Sequence, residues 1–555
     1  MDSSFASSEK VPVTRPRPWA ASATLPLHTV ALPPRVKVAA PAAPPCVERP
    51  ALGARLLEGR EHAFRRCLEI APAAITWSVI TMLFWGGLAF PVALALAVLA
   101  FDLYWFARSF STAFHGIQGY WRVKANNRID WRAEYQKALD DGKVLVPWEE
   151  VHHAVIIPNY QERLEKLRRT LERLAAQEDA SWQITVVLAM EGREEDAQEK
   201  ASALVAEFGQ SFARIFATFH PPALPGEVPG KSSNEAWAAR ETKQRLVDEL
   251  GYDLGNITVT SCDADSLFHP RYFSCLTYKF CTNEQRHRRF WQAPILQYNN
   301  IWDVPMPIRV VAVLSNVNFI AELAKGHKRV FPQSTYTLSL QMADDVGYWD
   351  PDVIPEDWHM FLKCYFHLGG SVETEPVFLP VGSDAVHAAG YWQSLVQRYK
   401  QAKRHAWGAD DIAYAVRESL LHPEIPLWSR LRSLGTLLEN HLVWSTHWFI
   451  LTLGGAVPAV LAPALKELTP FAGLPQLVSL ILTACLGPFF IVVGLDLFMR
   501  PKPPKGYKRW FVPVTHLQWF LLPITSAIFA TLPALHAQTQ LALGKALAYE
   551  VTEKV

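Results

Sequence analysis

Cysteine is scarce and scattered. The chain has seven in 555 residues, at positions 46, 67, 262, 275, 281, 364 and 485, with no Cys-x-x-Cys pair and no His/Cys cluster. That spacing indicates neither a disulfide framework nor a zinc site, and the thiols read as reduced and mostly buried. Charge of one sign is lacking as well. Lys and Arg number 54 against 53 Asp and Glu, a net charge of +1, which gives no electrostatic ground for binding nucleic acid. No early charged-then-apolar signal pattern is present, so cleavage is not expected. What the chain does have is apolar content: half its residues are hydrophobic and 20 are tryptophan. Its mean hydropathy lies just above zero. Such averages fit a chain that is part membrane and part globular.

The apolar residues are not spread evenly. Residues 1–50 are rich in Pro, Ala and Ser and read as a disordered leader. Leu68 to Phe106 is almost continuously apolar, enough for two spans of about 20 residues each, turning near Gly86-Gly87 or Pro91. A transmembrane hairpin is therefore expected over 51–110, with a linker over 111–150. Arg60, Arg65 and Arg66 precede the hairpin, and Arg108, Arg122 and Lys124 follow it, which puts both flanks on the cytoplasmic side. Towards the C-terminus, 411–440 reads as interfacial, with a helix from Leu427 to Leu438. A bundle over 441–535 has spans at roughly 442–463, 474–499 and 511–535. The loop Arg500 to Arg509 is strongly basic and hence cytoplasmic, and 536–555 forms an amphipathic tail. Three full spans would leave that tail outside. A re-entrant segment around Pro513, Pro523 and Pro533 would not.

Between the membrane blocks, residues 151–410 read as a soluble α/β domain. Val151–Ile157 is a buried-strand run ending in Pro158-Asn-Tyr-Gln-Glu162. Leu164, Leu167, Leu171 and Leu174 then recur at helical spacing. Trp182–Met190 is a second strand, ending at Glu191-Gly192. Strand, helix and strand with short joins make a βαβ unit and predict a parallel sheet. Ligands bind such sheets at the carboxyl ends of the strands, where Asn159, Glu162 and Glu191 fall.

A third strand, Ile257–Ser261, leads to Asp263-Ala-Asp265. In extended backbone, residues i and i+2 point the same way, so both carboxylates are expected to converge. Hard oxygen ligands of this kind suit Mg²⁺ or Mn²⁺ on a nucleoside diphosphate, although Asp-Ala-Asp alone is also an ordinary solvated turn. Pro229-Gly-Lys231 opens a helical segment, where a lysine can face a phosphate. Ile354-Pro-Glu356-Asp357 opens another. Acids there complement the helix dipole, and Asp357 can also act as a general base; from its place at a helix start, a low pKa is expected. His359 reads as packing or capping. Gln397–Trp407 is a basic, aromatic stretch beside the membrane.

Together these residues resemble the membrane-bound family 2 glycosyltransferases, the group of cellulose, chitin and hyaluronan synthases. The resemblance covers residues 150 to 410. It implies a GT-A-like αβα nucleotide-sugar domain inserted between transmembrane helices and facing the cytoplasm of an inner or plasma membrane. In this pattern Pro158–Glu162, including Asn159 and Glu162, resembles the opening strand-end motif. Glu191 falls at the nucleoside contact and Lys231 at the diphosphate. Asp263 and Asp265 resemble the metal- and nucleotide-binding DxD, and Glu356-Asp357 the pair carrying the base. Gln401, Arg404 and Trp407 resemble QxxRW, with a departure: His405 follows the arginine and the tryptophan comes two positions later. The implied reaction is inverting transfer of a hexose, from a UDP-sugar by expectation, to a glycan acceptor, building a polysaccharide at the membrane. The alternative is addition of one sugar to a lipid or lipid-linked acceptor. Mg²⁺ or Mn²⁺, membrane lipids and no nucleic acid complete the expected partners. The residues neither imply nor exclude an accessory subunit.

Overall fold

The computed structural model describes residues 59–461, 473–507 and 511–545. The expected leader over 1–50 and the second half of the expected tail, 546–555, lie outside the described residues. Five described helices are long and apolar enough to cross a membrane: Glu61–Ala89, Pro91–Asn126, Met306–Ala324, Pro475–Met499 and Thr515–Ala542. The first two (α1 and α2) form the expected hairpin. They part at Phe90, where Pro91 begins α2 because its missing N–H has no partner to lose there. α2 runs on to Asn126, so much of the expected linker is a continuation of the second hairpin helix.

The α/β class expected from the sequence is the class observed. Seven strands make a mixed sheet in the order β3-β2-β1-β4-β8-β6-β9. β1 (His152–Asn159), β2 (Ile184–Glu191), β3 (Arg214–His220) and β4 (Ile257–Ser261) are parallel neighbours. Helices α3 (Leu164–Ala175), α4 (Ala197–Phe208) and α5 (Lys231–Lys243) intervene in the chain. β1 and β2 are almost wholly buried, as continuous Val/Ile/Leu runs covered on both faces should be. Beyond β4 the expectation of a parallel sheet fails. β8 (Tyr336–Ser339) runs antiparallel to both β4 and β6 (Arg289–Gln292), and β6 is parallel to β9 (Glu373–Pro376). A smaller sheet, β5-β10-β7, joins Leu267–Phe268, Val381–Gly382 and Ile295–Leu296.

Residues 283–330 show no clear period in sequence, yet they contain α6 (Met306–Ala324). α6 is apolar and buried on most of its sides, which leaves little amphipathic stripe to read. It packs along α2. At the crossing, a Cβ on Gly119 would lie 2.3 Å from Ile320 Cγ2 and 3.0 Å from its carbonyl oxygen, so only glycine lets the two helices meet there. Further helices that bear on the site are α7 (Glu356–His367), α8 (Tyr391–Ala406), α9 (Asp411–Leu421), α10 (Leu427–Leu453) and α11 (Leu532–Ala542). α10 corrects the expectation of a separate interfacial helix before a span at 442–463. It is one continuous helix that ends at Gly454-Gly455, before a short helix at Ala456–Leu461.

Candidate active site

Three segments far apart in sequence meet at Lys231. Its Nζ lies 2.8 Å from Asp263 Oδ1 and 2.6 Å from Glu356 Oε1, and it donates to the carbonyl of Ser334 at 2.9 Å. Those contacts use all three ammonium protons. A third acid, Glu235, stands one helical turn along α5 with Oε1 at 3.8 Å. Burial alone would lower the Lys231 pKa, but Asp263, Glu356 and Glu235 outweigh it and hold the ammonium charged. The lysine expected at a diphosphate is thus the cation that joins the first aspartate of Asp263-Ala-Asp265 to the Glu356-Asp357 pair. Glu235 was missed from sequence. Its signal is the i, i+4 spacing to Lys231. It is fully buried, accepts from Ser261 Oγ at 2.5 Å, and burial pushes its carboxyl up to about 8.

Asp357 sits beside this cluster. Oδ2 accepts from the Ser334 amide at 3.1 Å and Oδ1 from the Trp358 amide at 2.9 Å. Ser334 adopts a left-handed φ of 60°, which turns its amide to Asp357, its carbonyl to Lys231 and its hydroxyl to Asp263. The low pKa expected for Asp357 is not what the surroundings give. Burial and the Glu356 charge raise it to about 7, with Lys231 and the two amides opposing. Desolvation outweighs the helix dipole here.

Asp263-Ala-Asp265 also departs from expectation. The strand ends at Ser261, and the Ser266 amide donates to the Asp263 carbonyl at 3.0 Å, so the motif lies in a turn and not in extended backbone. Asp263 faces Lys231 and Ser334. Asp265 Oδ2 instead accepts from the Asp384 amide at 2.9 Å and Ser383 Oγ at 3.2 Å, and its carbonyl accepts from Asn299 Nδ2 at 3.1 Å. Asn299 reaches in because residue 382 is glycine: a Cβ there would lie 2.3 Å from Asn299 Oδ1. Among the described residues, no three His, Cys, Asp or Glu side chains group as a complete metal cage. Mg²⁺ and Mn²⁺ do not need one, since they take one or two carboxylates and fill the shell with phosphate oxygens and water. As hard carboxylate donors, Asp263 and Asp265 fit such an ion as part of a shell.

Asn159 and Glu191 lie at the carboxyl ends of β1 and β2, as expected. Asn159 Nδ2 and Asn234 Nδ2 both donate to the Ala189 carbonyl, at 3.3 and 2.8 Å. Their Oδ1 atoms are buried and have no hydrogen-bond partner among the described residues. Glu191 pairs with Arg193 at 3.2 Å, and burial raises its carboxyl. Arg193 lies over the Tyr160 ring at 4.0 Å. Glu162 does not join this set: it pairs with Lys166 at 2.7 Å. Glu194, which sequence reasoning missed, takes the Gln161 amide at 2.9 Å.

The third motif differs most. Gln401 Oε1 accepts from Arg398 at 2.6 Å, Arg404 lies in the last turn of α8, and Trp407 starts the turn that follows. Trp407 is only 7% exposed and belongs to the apolar cluster with Phe361, Ala534 and Leu541. It is core, and it offers no open ring face to a sugar.

Residues 258–494 match the family model described as glycosyl transferase family group 2. The match covers less than half of the chain, and membrane-length helices lie on either side of the α/β domain. No curated protein matches. Among solved structures, the chain is similar to a mannosyltransferase from Pyrobaculum calidifontis in complex with GDP-Man and Mn²⁺, at 15% identity and a TM-score of 0.38, over 79% of this chain and 97% of that one. It is also similar to S. aureus TarS, at 10% identity and a TM-score of 0.28, over 62% of this chain and 55% of that one. The third is GalNAc-T7 with UDP, GalNAc and Mn²⁺, at 10% identity and a TM-score of 0.31, over 53% and 58%.

Proposed function

We propose that this glycosyltransferase moves a hexose, with inversion, from a nucleoside diphosphate sugar to an acceptor hydroxyl at a membrane, its α/β domain facing the cytoplasm. The observation that carries the reading is the meeting of Asp263, Glu356 and Asp357 around Lys231 and Ser334. Asn159 and Glu191 line the nucleoside side at the ends of β1 and β2. Asp263 and Asp265 would hold Mg²⁺ or Mn²⁺, which would supply charge neutralisation on the diphosphate. Asp357 takes the acceptor proton as its oxygen attacks the anomeric carbon opposite the leaving nucleotide. Lys231 supplies positive charge to the departing diphosphate once Asp263 and Glu356 release it.

Polysaccharide synthesis remains one reading of the product. Burial of Trp407 favours the other, a single transfer to a lipid or lipid-linked acceptor, because it withdraws the ring on which a growing glycan would stack. The test uses the full chain in nanodiscs with Mg²⁺ or Mn²⁺ and a panel of UDP- and GDP-sugars, reading nucleotide release and product size. Asp357→Asn is expected to abolish transfer and leave nucleotide binding intact. Near-normal turnover by that variant would remove Asp357 as the base.

A further inference from the structure

His359 stands two residues after Asp357 on α7. It is 6% exposed, and both its ring nitrogens meet carboxylates: Nδ1 lies 2.7 Å from Asp411 Oδ1 and Nε2 lies 2.9 Å from Asp350 Oδ2. The Tyr414 ring covers it at 4.3 Å. One turn on, Lys363 reaches Asp350 Oδ1 at 2.5 Å and the Tyr348 carbonyl at 2.8 Å. Two cations and two carboxylates therefore balance inside the protein. Burial would lower the imidazole, but Asp411 and Asp350 raise it to about 10. His359 and Lys363 in turn hold Asp350 down to about 2 against its burial.

The carboxylates come from elements that matter to the site. The Asp350 carbonyl accepts from Ser232 Oγ at 2.7 Å, next to Lys231. Asp411 opens α9, directly after the Trp407–Asp410 turn that ends α8, and α9 packs against both α7 and α1. Residues two apart on an α-helix point about 200° apart, so His359 faces away from the side where Asp357 acts and does not touch the acceptor.

We propose that His359 is a positioning residue for the base: clamped as an imidazolium between Asp350 and Asp411, it fixes the first turn of α7 between the Lys231 segment and the turn beyond α8. The clamp sets where the Asp357 carboxylate stands, and a displacement of about 1 Å there is worth on the order of a hundredfold in rate. This inference rests on the proposed role of Asp357.

The experiment compares the full-length chain with His359→Gln, Asp411→Asn and the double variant, all in nanodiscs. It reads transfer kcat, donor KM, UDP and GDP affinity, and amide exchange in the donor-free protein. His359→Gln is expected to lower kcat by about 10- to 100-fold, with KM and nucleotide affinity within about twofold. The double variant should be no worse than the poorer single, because the two residues act through one contact. Exchange at Asp357 and Trp358 should quicken while the sheet stays protected. Unchanged kcat together with unchanged exchange overturns the proposal. So does a matched loss of nucleotide binding and sheet protection, which marks a merely structural histidine. If the parent transfers from no donor, the functional reading fails on its own, and amide exchange alone decides the clamp.

Discussion

Lys231 shows how much of a side chain's setting lies outside its local sequence. Its position at the start of α5 suggested a phosphate contact, and its actual partners are Asp263, Glu356 and the Ser334 carbonyl. Sequence gave no sight of this, because residues 231, 263, 334 and 356 become neighbours only when the sheet closes. Asp357 was legible as a residue and illegible as an acid. Its type and helix-start position are local facts, but its raised pKa comes from burial and from Glu356. The consequence is a pH dependence of definite sign. A base works deprotonated, so kcat at saturating donor should rise about tenfold per unit below pH 7 and level off above it, following a carboxyl that titrates at about 7. A rate independent of pH between 5 and 8 would contradict the assignment.

At the level of elements, long periodic or apolar stretches were readable and stretches with neither mark were not. The first two strands, the helix between them and the hairpin declared themselves through period and length. α6 did not, because it is apolar on most sides and has little polar face to mark its turns. The antiparallel course of β8 was not readable either, because it depends on partners 257–261 and 289–292. Trp407 was read as part of a basic, aromatic stretch resembling QxxRW, whereas it starts the turn at 407–410 and lies in the core. Its substitution should act on stability first. Trp407→Ala is expected to cost about 3–5 kcal/mol, seen as a lowered thermal midpoint in detergent, and Trp407→Phe should recover most of that with near-parent transfer. If Trp407→Phe keeps the midpoint and loses transfer, the ring contacts substrate after all.

Across the whole molecule, the α/β domain and the membrane-length helices are not separable parts. α6 arises inside the 151–410 stretch and packs on α2, while α8 packs on α11. Tyr298 donates to Asp496 Oδ1 at 2.9 Å, and Trp302 donates to the Pro501 carbonyl at 2.9 Å. A fragment cut at 151 and 410 would bare the apolar sides of α6 and α8. Such a fragment is expected to aggregate on expression and to show no nucleotide binding. A monodisperse 151–410 fragment that binds UDP or GDP would show the sheet to be independent of the helices around it.

The strand order carries a last consequence, for the chain as it leaves the ribosome. β1 to β4 emerge first and can assemble as a parallel half-sheet with β4 as its open border. The strand that covers this border, β8, is not made until some 75 residues later, after α6 has emerged and met the hairpin already in place. A bare strand border invites pairing with any other chain nearby. The interval of synthesis between Ser261 and Tyr336 is therefore when this protein is most exposed to misassembly.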